Sequence, residues 1–347
     1  MFSIEMGVDI GELFHKEPCS FADFNGKIIA IDAHNVLHQF LSIIRQRDGT
    51  PLKDANGNIT SHLSGLLYRT ANLVEARIRP VYVFDGIPHP LKARTLAERR
   101  ERKEQAERAW KDAIEKGDIE KARSKAQQTS RVTEEIIHQS KELLTALGIP
   151  FVQAQSEGEA QASYMVKKGD AYAVGSQDFD CLLFGTPFLI RNLTSSGKRK
   201  LPNKKAYVDV NPEIIKLEPN LKTLDITREQ LIDMAILIGT DFNEGVKGLG
   251  PKKSLQLIKK TKDLEHAMPT LNQSALPSSS EIAEIRSLFL KPTITDDYSL
   301  SWSKPDNNKV LRILCDEHQF SRERIEPILE KFAVLETIQK QKNLFEF

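Results

Sequence analysis

Short, continuous hydrophobic runs recur along the chain, and each ends at acidic or turn-forming residues. Such runs are typical of strands buried on both faces, and the segments between them are long enough for helices. Alternation of strand and helix predicts an α/β fold with a mostly parallel central sheet and helices on both of its faces. The predicted strands lie at residues 27–31, 81–84, 149–152 and 171–174.

The spacing of hydrophobic residues predicts two ordinary helices and one unusual segment. In residues 133–147 hydrophobic side chains share one stripe until Gly148 ends the helix. Residues 231–238 are hydrophobic on nearly every side, which is typical of a buried helix. Residues 96–130 are rich in helix formers but polar on every face. Because such a helix lacks a hydrophobic stripe for packing, we expect it to project from the body and to be mobile without a ligand.

The composition is that of a globular protein, with 40% hydrophobic and 28% charged residues, and it excludes a disordered chain. No hydrophobic run reaches the roughly 18 residues that a membrane-spanning helix needs. The N-terminus lacks the basic and hydrophobic segments of a secretion signal, so we expect an intracellular protein. Three widely spaced cysteines, Cys19, Cys181 and Cys315, do not suit a disulfide framework or a zinc site.

The charges are unevenly distributed, although the whole chain carries a net charge of only +1. Residues 191–205 and 246–262 each contain six basic and no acidic residues, and residues 91–131 contain 13 basic and 8 acidic residues. Together these stretches favour basic surfaces for a phosphate backbone, with an acidic site elsewhere. Any one of them alone is more often a solvated helix face or loop.

Seven acidic residues form the second chemical feature of the chain. Four of the predicted strands lead into acids at the carboxyl edge of the sheet, where parallel α/β sheets bind ligands. Mg²⁺ takes oxygen ligands and usually only one or two carboxylates, so seven acids suit two ions, which together can hydrolyse a phosphodiester. Six acids follow the predicted strands, and Asp241 follows the predicted buried helix at 231–238 as the seventh: the six are Asp32, Asp85, Glu157, Glu159, Asp178 and Asp180.

Simpler explanations fit single members of this set. An isolated aspartate at a strand end is more often a turn former or a helix cap than a metal ligand. Phosphatases of the haloacid dehalogenase type also place an Asp-x-Asp pair after a strand. Here the corresponding pair, Asp178 and Asp180, follows a later strand and leaves the other acids without a role. The whole set favours a metal site, because without cations the carboxylates would repel one another.

Five motifs resemble those of the flap endonuclease family of structure-specific 5′ nucleases. Their order and spacing match that family from Met6 to near the C-terminus. The absence of a lysine-rich extension at the end of the chain is similar to the archaeal branch. The motifs read MGVDIGEL from Met6, VFDG from Val83, SEGEAQA from Ser156, SQDFD from Ser176 and GTDFN from Gly239.

The resemblance implies a magnesium-dependent nuclease that cuts 5′ flaps and has 5′-3′ exonuclease activity, in DNA replication (Okazaki fragment maturation) and in repair. The seven acids match the family's ligands for two Mg²⁺ ions, with Mn²⁺ as an alternative. Lys92 and Arg99 match two basic residues that contact the scissile phosphate, where cations stabilise the developing charge. Taken alone, each would be an ordinary exposed charge. Residues 96–130 resemble the helical arch through which the single-stranded flap passes.

Further DNA contacts are expected around residues 245–262, which resemble the family's helix–two-turns–helix element. Glycines there let backbone amides approach phosphates, and a helix N-terminus adds positive potential. In the family this element grips the duplex and binds K⁺. Arg45 lies where the family wedges the junction. The candidate DNA-binding residues are Arg45, His38, Gly245, Gly248, Gly250, Lys252 and Lys253.

His38 stands where the family commonly has a tyrosine that stacks on a base. The smaller, titratable ring predicts weaker or pH-sensitive stacking, although a lone histidine on a helix is more often a packing residue.

The C-terminus resembles a sliding-clamp-binding box, with Gln341, Leu344 and Phe347 at suitable spacing. A second aromatic anchor, worth roughly 2 kcal/mol, would be expected one residue further on. Residues 1–5 precede the family's usual start and are either an alternative start or not native.

We expect a single 5′ nuclease domain over residues 1–330 and a clamp-binding tail over 331–347. The expected protein is a monomer that binds branched DNA and no membrane, in the cytoplasm of an archaeal-type cell or in the nucleus of a eukaryote. Two alternatives stay open: a non-catalytic branched-DNA scaffold that recruits the clamp, and a related nuclease that prefers 5′ exonuclease action or bubbles. Within the domain we predict an N-terminal nuclease region at 6–105, an arch at 91–132, an internal nuclease region at 133–265 and the helix–two-turns–helix element at 239–262.

Overall fold

The computed structural model describes residues 7–195, 197–200, 207–271, 277–333 and 335, and the side chains of 197–200 and 207–209 lie outside this description. Strands occur at all four hydrophobic runs that predicted them, and helices occupy most of the segments between, which confirms the α/β class. The strands are β1 (Glu17–Pro18), β2 (Ile28–Asp32), β3 (Arg79–Phe84), β4 (Phe151–Gln153), β5 (Ala173–Gly175), β6 (Phe188–Arg191), β7 (Gly197–Lys200), β8 (Tyr207–Val210) and β9 (Glu213–Lys216).

The α-helices of the described residues follow the strands in chain order. They are α1 (Ala33–Ile43), α2 (Ser61–Glu75), α3 (Ala93–Glu115), α4 (Ile119–Ala126), α5 (Glu134–Ala146), α6 (Gly158–Lys168), α7 (Asp180–Leu183), α8 (Leu217–Leu224), α9 (Arg228–Ile238), α10 (Pro251–Thr261), α11 (Leu264–Ala267), α12 (Ser279–Leu290), α13 (Asn307–Leu311) and α14 (Arg322–Lys331). No helix in the described ranges combines the length and the hydrophobicity needed to span a membrane.

The chain divides into two compact units, each built from several separate segments. The first unit contains residues 7–20, Asp85–Ala97 and Ala154–Asp296, and the second contains Phe21–Phe84, Glu98–Gln153 and the described residues from Asp297 onward. The expectation of one nuclease domain stays a prediction.

In the first unit, four strands lie in the order β1-β9-β6-β5. β5 and β6 are parallel, whereas β9 runs antiparallel to both β6 and β1. β7 and β8 form a separate antiparallel pair, with Gly197 opposite Val210. The predicted buried helix at 231–238 is α9, which begins earlier, at Arg228, because Thr227 and Gln230 form a capping box.

In the second unit, β2, β3 and β4 are parallel neighbours in that order. Val81–Phe84 of β3 are buried, as a strand covered on both faces requires. α1, α5 and α14 pack on α2. The helix predicted at 133–147 is α5, whose N-terminus is capped by the Thr133 side chain.

The polar segment 96–130 is helical as predicted, in α3 and α4, and it contains buried alanines that the polar pattern did not indicate. Four alanines along it are at most 4% exposed. A methyl group is too small to stand out among charged neighbours in the sequence, yet it allows a close approach that excludes water. The buried alanines are Ala106, Ala113, Ala122 and Ala126. Whether the segment projects or moves without a ligand stays a prediction.

Candidate active site

In the second unit, Asp32 is the last residue of β2 and also the N-cap of α1. Its Oδ1 accepts a hydrogen bond of 3.0 Å from the Asn35 backbone N–H, and the residue is only 5% exposed. The cap explains why the helix begins here. It also orients the carboxylate at the carboxyl end of a parallel strand.

In the first unit, three of the predicted acids lie around the ammonium group of Lys92. Lys92 Nζ donates to Glu157 Oε2 and lies 3.3 Å from Asp241 Oδ2. Asp85 Oδ1 accepts a 2.6 Å hydrogen bond from the backbone N–H of Gly158, the residue after Glu157. The Lys92 and Glu157 side chains are 16% and 13% exposed, so their charges interact through a partly desolvated medium.

Burial and neighbouring charges shift the pKa of Lys92 in opposite directions. Burial alone would lower the pKa of Lys92, but the carboxylates of Glu157, Asp241 and Asp85 outweigh it and raise that pKa above its ordinary value. The pKa of Glu157 is raised, chiefly by burial, with Asp85 and Asp241 adding to the rise and Lys92 opposing it. Lys92 is therefore a cation among closely spaced carboxylates. A bound metal cation would reduce the repulsion between those carboxylates.

A second acidic group of the first unit is organised by Ser176 and the N-terminal segment. Ser176 Oγ donates to Glu159 Oε1 at 3.5 Å and accepts from the Asp178 N–H at 3.2 Å. Asp180 Oδ1 accepts a 2.7 Å hydrogen bond from the Val8 N–H, and Asp180 is 4% exposed. Within this unit, Glu159 and Asp178 each offer a carboxylate oxygen, and the two oxygens lie within 4.8 Å of one another, close enough to share a metal ion.

The donor chemistry of these acids fits a hard divalent cation. Carboxylate oxygens are the ligands that Mg²⁺ and Mn²⁺ prefer, and the acids are clustered more densely than their own repulsion favours. Cys181 Sγ donates to Glu159 Oε1 at 3.5 Å, and Cys181 is fully buried. The chemistry of the site is thus that of oxygen ligands for a divalent metal.

In the second unit, His38 is buried in α1, with 8% of its surface exposed. Burial, followed by the charges of Lys103, Arg99 and Arg45, lowers the pKa of His38 to about 4. The imidazole is therefore neutral at pH 7, and a pH-sensitive contact of this residue would titrate well below that value.

The guanidinium of Arg45 makes its hydrogen bonds within the second unit. Nε donates to Leu41 O at 2.7 Å, Nη1 to Gly49 O at 2.8 Å and Nη2 to Ser130 Oγ at 3.0 Å. Burial lowers the pKa of Arg45 to about 10. Its predicted DNA contact stays a prediction, and the structure adds an internal role that the sequence did not indicate.

The glycines of the predicted helix–two-turns–helix element differ in backbone conformation and in the space available for a side chain. Gly248 has a φ of +89°, which favours glycine, and Gly250 is the N-cap of α10. At Gly245 a side chain would collide with the backbone of Ile238, because two main-chain segments cross there. The loop and the helix N-terminus together present backbone N–H groups of the kind that bind phosphate.

Two lysines of α10 help to hold this element. Lys252 Nζ lies 2.9 Å from Glu12 Oε2, and Lys253 Nζ donates to Gly248 O at 3.1 Å. Both side chains begin in the first turn of the helix, close to the glycine loop. The predicted clamp-binding residues Gln341, Leu344 and Phe347 lie outside the described residues.

Sequence reasoning missed Phe242 and Ser176. Phe242 lies next to Asp241, and its ring centroid is 5.6 Å from Lys92 Nζ. Ser176 bridges Glu159 and Asp178 through its hydroxyl. Both residues belong to motifs that were recognised for their acids, so the signal available was their position inside those motifs.

Two family models match the chain and define its class. Residues 12–106 match the XPG N-terminal domain, and residues 148–241 match the XPG I-region. The matched ranges contain all seven candidate acids as well as Lys92 and Arg99. The fold is therefore that of an XPG-type nuclease, and the candidate acids lie within the two matched ranges.

Similar proteins narrow the class further. The flap endonuclease 1 of Pyrococcus abyssi (strain GE5 / Orsay) is 54% identical over 340 residues, covering 98% of this chain and 97% of that protein. The flap endonuclease 1 of Archaeoglobus fulgidus is 55% identical over 334 residues, covering 96% and 98%. The solved flap endonuclease-1 from Methanococcus jannaschii is 42% identical, with a TM-score of 0.74 and coverage of 96% and 100%. The chain belongs to the flap endonuclease family and is a DNA-hydrolysing, structure-specific 5′ nuclease.

Proposed function

We propose that this chain hydrolyses a phosphodiester at the base of 5′ flaps, with two divalent cations held by the seven acids and with Lys92 and Arg99 at the scissile phosphate. The observation that carries the proposal is a partly buried cation, Lys92, placed among the carboxylates of Glu157, Asp241 and Asp85. A structural salt bridge needs one carboxylate for one ammonium. Three acids around one lysine leave negative charge for further cations.

The protein's own groups orient these acids. Val8 N–H holds Asp180, Gly158 N–H holds Asp85, and Ser176 links Glu159 to Asp178. Because the carboxylates of Asp180, Asp85 and Glu159 each accept a hydrogen bond from a donor of the fold, little reorganisation is needed when a cation arrives. Bound Mg²⁺ would supply a water of lowered pKa and stabilise the charge on the leaving oxygen.

Lys92 supplies a fixed positive charge beside the acids. Its raised pKa keeps the ammonium protonated, so it can donate hydrogen bonds to a phosphate oxygen on which negative charge develops. Arg99 in α3 is the second predicted cation, and its role rests on the resemblance of its position to that of the family. Both residues act by electrostatic stabilisation and transfer no proton.

The substrate is branched DNA, recognised by its shape. The glycine loop, the N-terminus of α10 and Lys252 and Lys253 suit the phosphates of a duplex, which carry no sequence information. His38 and Arg45 are the proposed contacts near the junction. K⁺ at the helix–two-turns–helix element rests on the resemblance to the family.

The remaining parts of the proposal concern partners and location. A sliding clamp would bind the C-terminal box at Gln341, Leu344 and Phe347. The archaeal relatives favour work in the cytoplasm on chromosomal DNA, in replication and repair, and the proposed form of the protein is a monomer. Family membership argues against a non-catalytic scaffold, whereas a preference for 5′ exonuclease action or bubbles is decided by experiment.

The experiment compares a free-ended 5′ flap, a nicked duplex and a bubble under single-turnover conditions in Mg²⁺. We expect the flap to be cut fastest, and faster cutting of the bubble would overturn the flap assignment.

Asp180→Asn retains an oxygen that accepts from Val8 N–H but loses the charge, so we expect a loss of cleavage of at least about 100-fold with binding in Ca²⁺ retained. Asp170→Asn, a partly exposed aspartate of the same unit paired with Lys168, is the matched control.

A further inference from the structure

Lys92 has two kinds of neighbour in the first unit. The carboxylates of Glu157 and Asp241 pair with its ammonium, and the ring of Phe242 lies with its centroid 5.6 Å from Nζ. A cation within about 6 Å of an aromatic centroid is attracted by the negative face of the ring. Phe242 is only 7% exposed, so water screens this attraction little.

A tight turn places the ring and one carboxylate together. Thr240 N–H donates to Asn243 O at 3.1 Å, and Phe242 N–H donates to Thr240 Oγ1 at 3.1 Å. Asn243 Nδ2 donates to Ile236 O at 2.8 Å, which ties the turn to the end of α9. Because Asp241 and Phe242 are adjacent in this turn, one rigid piece of backbone sets two of the contacts of Lys92.

The Phe242 ring is itself held by other aromatic side chains. Phe289, which is fully buried, meets it nearly edge-on at 5.5 Å, and His89 meets it edge-on at 6.3 Å. Phe184 packs on Phe289 at 5.0 Å. Such contacts between rings favour one orientation, so the face near Lys92 cannot easily turn away.

We propose that Phe242 is a positioning residue that holds the Lys92 ammonium in place for the reacting phosphate, a role that rests on the proposed function of Lys92. When metal cations bind the carboxylates of Glu157 and Asp241, they neutralise the negative charge that attracts the Lys92 ammonium. The ion pairs of Lys92 are then weaker. The attraction to the ring does not depend on that charge. Phe242 therefore keeps the ammonium directed when the acids are otherwise occupied.

The test replaces the ring without emptying its site. Phe242→Leu removes the π face, and we expect a single-turnover cleavage rate about fivefold lower, with the Kd for flap DNA in Ca²⁺ changed by less than about twofold. Phe242→Tyr restores an aromatic face and should restore most of the rate. Phe188→Leu is the matched control, because Phe188 stacks on Tyr172 at 5.2 Å in the same unit and should leave the rate unchanged.

A double-mutant cycle with Lys92→Met separates positioning from packing. If Phe242 acts through Lys92, Phe242→Leu has no further effect on the rate of the Lys92→Met variant. A fivefold loss in both backgrounds, or a wild-type rate for Phe242→Leu, overturns the proposal. A wild-type rate for Lys92→Met overturns it together with the proposed role of Lys92.

The same cycle on chemical unfolding in EDTA needs neither metal nor activity. We expect the coupling between Lys92 and Phe242 to change the unfolding equilibrium constant by about three- to fivefold. Additive effects on unfolding contradict the contact itself. If unfolding shows the coupling but Lys92→Met cleaves at the wild-type rate, the contact between Lys92 and Phe242 is correct and the proposed role of Lys92 in cleavage is wrong.

Discussion

At the scale of single residues, backbone N–H groups orient several of the candidate acids within each unit. Asn35 N–H donates to Asp32, Gly158 N–H to Asp85 and Val8 N–H to Asp180. A hydrogen bond to a carboxylate favours its charged form and restricts its rotamer. These acids are consequently directed by the fold before any cation binds.

Gly7 leaves the space that the Asp180 carboxylate occupies. Its φ is +93°, and a Cβ there would lie 2.7 Å from Asp180 Oδ1. We expect Gly7→Ala to displace the Asp180 carboxylate and to lower single-turnover cleavage about tenfold or more, because small misplacements of reacting groups cost rate steeply.

Gly57→Ala is the control for this substitution. Gly57 has a similar φ of +88°, but a Cβ there would meet no atom within 4 Å. The control therefore carries the backbone strain without the collision. Equal losses of cleavage in the two variants would show that strain, and not displacement of Asp180, is responsible.

His38 should make stability depend on pH. Its pKa is about 4 in the folded protein, against 6.5 for an ordinary histidine, so the unfolded chain takes up its proton first as the pH falls. The stabilisation is present above pH 6.5 and is lost progressively down to about pH 4. Between pH 7 and pH 5 we expect wild type to lose about 2 kcal/mol more of its free energy of unfolding than His38→Gln, measured by urea titration. Parallel losses in the two proteins would contradict this.

At the scale of elements, the C-terminal end of the polar helical segment is anchored within the second unit. Arg45 donates to Gly49 O and Ser130 Oγ, and Ser42 and Ser130 share a 2.9 Å hydrogen bond. A Cβ on Gly49 would lie 2.6 Å from the methyl group of Ala126, so this turn and α4 are in close contact. One end of the segment is thus held by polar contacts and small residues.

Arg45→Met should release this anchor. The change removes hydrogen bonds from a charged donor, each worth about 1.5–3 kcal/mol. We expect amide hydrogen exchange in residues 119–130 to become at least about tenfold faster, measured by mass spectrometry. Arg47→Met is the matched control, since Arg47 is exposed. Exchange that accelerates equally in both variants would rule out the anchor.

At the scale of the whole molecule, the near-zero net charge conceals a separation of charge. The candidate site is crowded with carboxylates, whereas residues 246–262 carry six basic and no acidic residues. DNA binding by such a protein depends on local surfaces and not on overall attraction. Salt should therefore weaken binding through the few lysines that we propose to contact phosphates.

Lys253→Gln should lower the dependence of DNA binding on salt. Each phosphate contact that is lost reduces the slope of log K against log salt by about 0.9. We expect this reduction for flap DNA in Ca²⁺, measured by fluorescence anisotropy at several salt concentrations. Lys222→Gln, an exposed lysine outside the three basic stretches, should keep the wild-type slope. If both variants share one slope, α10 is not the surface that contacts the backbone.

Much of the fold was predictable because it depends on local chemistry. Hydrophobic runs that end in acids became β2, β3 and β5, and the hydrophobic stretch at 231–238 became α9. The acids could be nominated because strand ends of parallel sheets collect ligands. The buried alanines of α3 and α4 and the internal hydrogen bonds of Arg45 were not predictable, because methyl groups and a single arginine carry no periodic signal.

The sequence by itself determined the α/β class, the candidate acids and the family to which their motifs belong. Each of these can be recognised from short stretches of neighbouring residues. Only the tertiary structure decided that Lys92 is held by Glu157, Asp241 and the ring of Phe242, and that Val8 N–H orients Asp180. The physical reason is that these contacts join residues far apart in the chain. Burial and partial desolvation, which only packing creates, then set the strength of their charges.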